Sequence, residues 1–307
     1  MSALAAALGD YLALRRSLGY KLERAGVVLA DFVAYLDQAG TQHVTVELAI
    51  DWAMRTSNPD SCWRAQRLGM VRGFVRYLHA LDPGHQIPPT GLLHRGGRPE
   101  PFLFTDVDID TLMTAAASMR SPLRALTMQA LIGLLWVSGL RVGEVIRVDR
   151  DDIDVDHGLI VVRNTKLGRS RHVPLHGSTI EALRIYLHRR EELWAGPASP
   201  ALFISTSGTR LRSGNLRAAF AELVALAGLP PRRGGHGPCL GALRHSFAVQ
   251  TLLDWHVAQV DVGPRLPVLS TFLGHVSPAS TYWYLSASPL LLAAAARRVD
   301  DIRQVSP

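Results

Sequence analysis

Two arginines, a lysine, a histidine and a tyrosine stand out by type and spacing in the C-terminal two thirds of this chain. Arg141 lies in Ser138-Gly139-Leu140-Arg141-Val142-Gly143-Glu144, straight after a glycine placed to end a helix, so its side chain can point back into a cleft. Lys166 lies in Asn164-Thr165-Lys166-Leu167-Gly168-Arg169, at the tip of an expected hairpin. Arg244 lies in Ala242-Leu243-Arg244-His245-Ser246-Phe247. His275 closes Leu273-Gly274-His275, and Tyr284 follows nine residues on. Arginine offers a planar, permanently charged fork to anionic oxygens. Lysine and histidine carry transferable protons, and a tyrosine hydroxyl can attack once it loses its own. Each residue also has a plainer reading. Arg141 suits a partner of Glu144, Lys166 an exposed turn, and His275 a helix C-terminus favoured by the dipole. Tyr284, beside Tyr282 and Trp283, suits an aromatic core.

The elements that must position these groups fall into two parts. Residues 3–80 read as helices. Leu4, Leu8, Tyr11, Leu12 and Leu18 recur at helical spacing, as do Val28, Leu29, Phe32, Val33 and Leu36. A further helix carries Trp63, Leu68, Val71, Phe74, Val75 and Leu78 on one side and Arg64, Arg72 and Arg76 on much of the other. That arginine row is either a solvated face or a set of contacts to DNA phosphates. Pro83, Pro88, Pro89, Pro99 and Pro101, with Gly84, Gly91, Gly96 and Gly97, break the pattern as a linker would. The expected division is therefore a helical domain over 1–82, a linker over 83–101 and a second domain over 102–307.

In the second domain, Thr105 and Asp108 have capping-box spacing, and Ser121-Pro122 starts an apolar helix that Gly139 stops. Alternation in Ile153, Val155, Leu159, Val161, Val173 and Leu175, around the turn residues Asp156-His157-Gly158 and Gly168, predicts a small antiparallel sheet. Ser178 and Glu181 are expected to cap the next helix. Further helices are expected at 213–228, 239–254, 265–275, 278–285 and 289–303. The fold class is thus mainly α with a small antiparallel β-sheet.

Composition narrows the function classes. A hydrophobic fraction of 48% supports real cores, and a net charge of +7 attracts polyanions, of which nucleic acid is the commonest. The two cysteines, Cys62 and Cys239, make neither a disulfide framework nor a metal spacing, which fits a reducing cytoplasm. Ala130–Leu140 is too short to span a bilayer, and Asp10, Arg15 and Arg16 interrupt the N-terminus as no signal peptide allows. Neither a Walker-type phosphate loop nor a clustered acidic metal site is seen.

Taken in order, Gly139-Leu140-Arg141-x-x-Glu144, Lys166, Leu243-Arg244-His245, Leu273-Gly274-His275 and Tyr284 resemble the constellation of the tyrosine recombinase, or phage integrase, family. The resemblance spans nearly the whole chain, with residues 1–82 similar to the family's core-binding domain and residues from about 101 onward similar to its catalytic domain. It implies a site-specific recombinase that cuts and rejoins double-stranded DNA, without metal, ATP or other cofactor, as a homo- or hetero-tetramer on its sites. Tyr284 is then the nucleophile of a 3′-phosphotyrosyl intermediate. Arg141 and Arg244 neutralise the phosphate oxygens, with preorganised donors worth about 3–4 kcal/mol each. His275 adds a hydrogen bond, Lys166 acts as general acid, and Arg169 joins Arg64, Arg72 and Arg76 as a candidate DNA contact. The helix after Ser288-Pro289 is expected to dock on its own domain or on a neighbouring protomer.

One position departs from the family. A histidine normally stands three residues before the second arginine, and here that residue is Gly241, which can handle no proton. His245 is adjacent to Arg244, but adjacent side chains on a helix diverge by about 100°. His236 is near in sequence only. Type IB topoisomerase-like relaxation, a DNA-binding protein with weak or no catalysis and, more remotely, a metal-dependent nuclease are the competing readings.

Overall fold

The structure is a computed structural model that describes residues 2–57, 61–94, 96, 100–163, 170–230, 237–275, 277, 279–287, 291 and 292. The chain divides into two compact units, Met1–Arg98 and Pro99–Pro307.

The first unit packs four helices, α1 (Ala3–Ser17), α2 (Glu23–Gln38), α3 (Val46–Met54) and α4 (Ser61–Leu81), around one apolar cluster. Most of the stripe read from the sequence is buried, with Leu8, Leu29, Phe32, Leu36, Leu68, Val71 and Phe74 inside, but Leu18 is exposed, because α1 ends at Ser17 and leaves it as the cap residue. Ser2 and Thr45 cap α1 and α3 by accepting the N–H groups of Ala5 and Leu48. Part of the proline-rich segment is fastened to this unit. The Gln86 N–H donates to the Val44 carbonyl at 2.8 Å, and Ile87 and Leu93 pack on the helical core.

In the second unit, α5 (Asp106–Ala117), α8 (Gly177–Leu193) and α10 (Leu240–Val257) all pack on α6 (Pro122–Ser138), with α7 (Val142–Arg147) following it. Burial on several sides explains why α6 reads as nearly uniformly apolar: Met128, Leu131, Ile132, Leu134 and Leu135 are all inside. Thr105 and Asp108 form the expected capping box. The sheet is antiparallel in the order β1 (Ile153–Asp154), β2 (Leu159–Val162), β3 (Arg171–Pro174), with Val162 opposite Arg171. Gly158 turns β1 into β2 at φ +64°. The cap of α8 differs from expectation: the His176 ring, rather than Ser178, accepts a backbone N–H there, with Ser178 as donor. Then come α9 (Ser213–Leu226), α11 (Leu266–Leu273) and α12 (Ala279–Ala287). Leu291 is buried in a cluster with Val249, Leu252, Leu269 and Tyr284, so the chain beyond α12 packs at that point on its own unit. The rest of the expected helix at 289–303, apart from Leu292, lies outside the described residues. No described helix is long and apolar enough to cross a membrane.

Candidate active site

The site is built on two glycines. Gly139 ends α6 at φ +58°, where a Cβ would run into the Phe247 ring, and Gly274 ends α11 at φ +67°, where a Cβ would lie 2.7 Å from Arg171 Nη1. Both positions need left-handed backbone and a missing side chain. Each glycine turns the chain so that a key group enters one cleft: Arg141 two residues after Gly139, and His275 directly after Gly274.

Around the C-terminus of α11 the backbone carbonyls are taken in two ways. The N–H groups of Gly274 and His275 fold back to Thr271 and Ser270, both at 2.9 Å. The next three carbonyls receive arginines. Arg171 donates from Nε to Phe272 at 3.1 Å, Arg244 from Nη2 to Leu273 at 2.7 Å, and Arg141 from Nη2 to Gly274 at 2.8 Å. Helix C-termini carry partial negative charge and orphan acceptors, so cations settle there.

Glu144 completes the cluster. Its buried carboxylate takes Arg171 in a two-pronged contact, both bonds 3.0 Å, and also Arg141 Nη1 at 2.9 Å and the Arg141 N–H at 3.0 Å. Burial pushes the Glu144 carboxyl up, but the hydrogen bonds from Arg171 and Arg141 outweigh it and hold the pKa at about 2. Two guanidiniums bind this one carboxylate and a third, Arg244, stands beside Arg141, so the site keeps an excess of positive charge suited to a phosphodiester.

Arg244 is 8% exposed, donates from Nη1 to the Gly139 carbonyl at 2.8 Å, and interacts electrostatically with Tyr284. Burial, then repulsion from Arg141, lowers its pKa to about 10, which leaves it charged at neutral pH. Tyr284, 3% exposed, is flanked by the rings of His245 at 5.5 Å, Trp283 at 5.4 Å and His275 at 6.0 Å between centroids. Burial, then the charges of Arg244, Arg141, His245 and Arg171, lowers the His275 pKa to about 4, so its imidazole is neutral near pH 7. Its Nδ1 lies 2.7 Å from Thr281 Oγ1.

Of the residues singled out in the sequence, Arg141, Arg244, His275 and Tyr284 come together here. Lys166 and Arg169 lie outside the described residues, as does His236. In the first unit Arg76 is exposed and Arg64 half-buried. Arg72, expected on the same phosphate-facing row, donates to the Pro88 and Pro89 carbonyls at 2.6 and 2.7 Å, and so holds the proline segment. Sequence reasoning passed over Arg171, whose partners lie 27 and about a hundred residues away. Its one local signal was an arginine opening the strand after the Lys166 segment. His245 was set aside, yet its ring packs against Tyr284. Gly241 is exposed, and among the described residues a Cβ added there would come no nearer than 3.9 Å to a side-chain atom, Cys239 Sγ. Among the described residues, no group of three or more His, Cys, Asp or Glu gathers as a metal site.

Residues 103–289 match the phage integrase family. The Sinorhizobium fredii protein y4rB, whose name proposes an integrase/recombinase, is 45% identical over 307 residues that cover 98% of each chain. Tyrosine recombinase XerD of Brucella melitensis is 30% identical over 275 residues, covering 86% of this chain and 83% of the relative. Among solved structures, the Tn1549 transposon integrase in complex with transposon right-end DNA aligns at TM-score 0.66 and 15% identity, over 96% of this chain and 99% of that one. At that identity the likeness speaks for the fold.

Proposed function

This chain belongs to the phage integrase family, the tyrosine recombinases, and we propose that it cuts and rejoins specific DNA sites through a 3′-phosphotyrosyl bond at Tyr284. The observation that carries the reading is the gathering of Tyr284, Arg244, Arg141 and His275 in one cluster: the Tyr284 ring stacks 6.0 Å from that of His275, Arg244 interacts electrostatically with Tyr284, and the charges of both arginines bear on His275. A guanidinium has five N–H donors. Arg141 spends side-chain donors on Glu144 and Gly274, and Arg244 on Gly139 and Leu273. Each retains donors for the two non-bridging oxygens of a scissile phosphate, and His275 supplies another.

Attack by the Tyr284 oxygen on phosphorus forms the Tyr–O–P bond as the P–O5′ bond breaks. The phenolic proton leaves to a base, and the leaving 5′ oxygen takes a proton from Lys166. The phosphotyrosyl bond conserves the energy of the broken ester, so attack by a 5′-hydroxyl reseals DNA without ATP. The charge neutralisation that a metal gives elsewhere comes from the arginines. Double-stranded DNA is the partner, with Arg64, Arg76 and Arg169 as candidate contacts, and a homo- or hetero-tetramer is the assembly in which two sites exchange strands.

The test uses nicked duplexes tiled across the DNA flanking the chain's own gene, in which cleavage next to the nick releases a short fragment and traps the covalent product. The expected result is a protein–DNA adduct that survives EDTA and disappears in Tyr284→Phe. Retention of DNA with no adduct on any duplex supports a binding protein instead. Relaxation of supercoils without exchange between two sites supports topoisomerase-like action.

A further inference from the structure

We infer that Thr281 is a positioning residue that makes His275 a hydrogen-bond donor to the phosphate only when the helix carrying Tyr284 is seated. The inference rests on the reading of Tyr284 as nucleophile. Thr281 and Tyr284 stand three residues apart on α12, share one face of it, and are 1% and 3% exposed. His275 stands outside that helix, in the turn after α11, where its N–H is held by the Ser270 carbonyl. The bond of 2.7 Å between Thr281 Oγ1 and His275 Nδ1 therefore joins the helix of the nucleophile to the histidine of the proposed phosphate site.

A neutral imidazole carries one ring proton, and its other nitrogen is an acceptor. The surroundings of His275 keep it neutral: it is part-buried, and Arg244, Arg141, His245 and Arg171 all bear on it with positive charge. Which nitrogen holds the proton is then decided by the partner of Nδ1. A buried hydroxyl needs an acceptor for its own proton, and Nδ1 is within reach of Thr281. With Thr281 donating to Nδ1, the ring proton stays on Nε2, and Nε2 is a donor alongside the two arginines. When α12 withdraws, Thr281 leaves with it, Nδ1 loses its partner, and the two tautomers mix. The donor set around the phosphate is thus complete only while Tyr284 is in attacking position, which ties activation of the ester to presence of the nucleophile.

The tautomer is directly measurable by 15N imidazole spectra of the full chain at neutral pH, with the His275 signals identified by their loss in His275→Gln. The wild-type protein is expected to show the proton on Nε2, as is Thr281→Ser, while Thr281→Val shows a mixture of both forms. A proton on Nδ1 in the wild type overturns the inference, and this spectrum decides even if Thr281→Val does not fold. Unchanged tautomers in a folded Thr281→Val overturn it as well. On the nicked duplexes, Thr281→Val is expected to slow adduct formation severalfold and Thr281→Ser to leave it near wild type; equal rates in all three also overturn it. Adduct that persists in Tyr284→Phe removes the nucleophile reading instead, whatever the tautomer.

Discussion

Glutamine in place of Glu144 removes one charge at nearly constant volume, and the structure sets the size of the effect. The Glu144 pKa is held at about 2 against an ordinary 4.5, and that difference, at about 1.4 kcal/mol for each tenfold change in proton affinity, amounts to about 3–4 kcal/mol of folding stability at neutral pH. The glutamine amide would also turn an N–H group toward an arginine, so the loss belongs in the range of about 3–5 kcal/mol seen when one partner of a buried pair is removed. The sign follows from the direction of the shift. A carboxyl depressed in the folded state contributes fully above its unfolded value of 4.5 and loses that contribution as pH falls through the folded value of about 2. The contribution therefore shrinks as pH falls below about 5 and is less than half its neutral value by pH 3. Urea denaturation of wild type and Glu144→Gln, followed by amide hydrogen exchange at α7, β3 and α11, reads the second unit by itself. A gap below about 1 kcal/mol at pH 7, or one that does not narrow between pH 5 and pH 3, refutes the assignment of Glu144 as the anchor of both arginines.

Gly274→Ala, at φ +67° with its new Cβ 2.7 Å from Arg171 Nη1, is expected to destabilise the second unit by about 1–3 kcal/mol and to depress adduct formation, as thermal melts and the nicked duplexes would show. At Gly241 an added Cβ meets only an ordinary van der Waals contact, Cys239 Sγ at 3.9 Å, among the described residues, which leaves Gly241→His room to start its side chain. That variant is expected to melt within about 2 °C of wild type and to raise the rate of adduct formation, with a new ionisation in the pH–rate profile. Lys166→Ala is expected to cleave an ordinary ester about a hundredfold more slowly, within the span of general acid effects, and to recover on a substrate whose bridging 5′ oxygen is sulfur. A thiolate leaves without help from an acid, so failure of that rescue removes Lys166 from the role.

Local signals in the sequence were legible because local physics produces them. The Thr105–Asp108 box, the proline start and glycine stop of α6, and the alternation of β2 each depend on residues within one or two turns. What escaped depends on contacts between distant segments. Arg171 looked like an ordinary strand residue because Glu144, Phe272 and Leu273 meet it only in the folded chain. Arg72 looked like its neighbours in a row until the Pro88 and Pro89 carbonyls came within its reach. The ring of His176 took the α8 cap from Ser178 because a histidine nitrogen can accept a hydrogen bond as a serine oxygen does. His245 stood beside Arg244 without a role and Thr281 carried no motif, and only packing brought them to Tyr284 and His275.

The three arginines that end on α11 grip main-chain oxygen, and this bears on how the protein can diverge. No substitution at Phe272 or Leu273 deletes a carbonyl, so the side chains there answer to the hydrophobic interior alone. Relatives can exchange those residues for others of similar volume while the three cationic heads stay in place. Variation in α11 is then a record of core drift, whereas loss of the left-handed turn at Gly274 would move its carbonyl, and Arg141 with it.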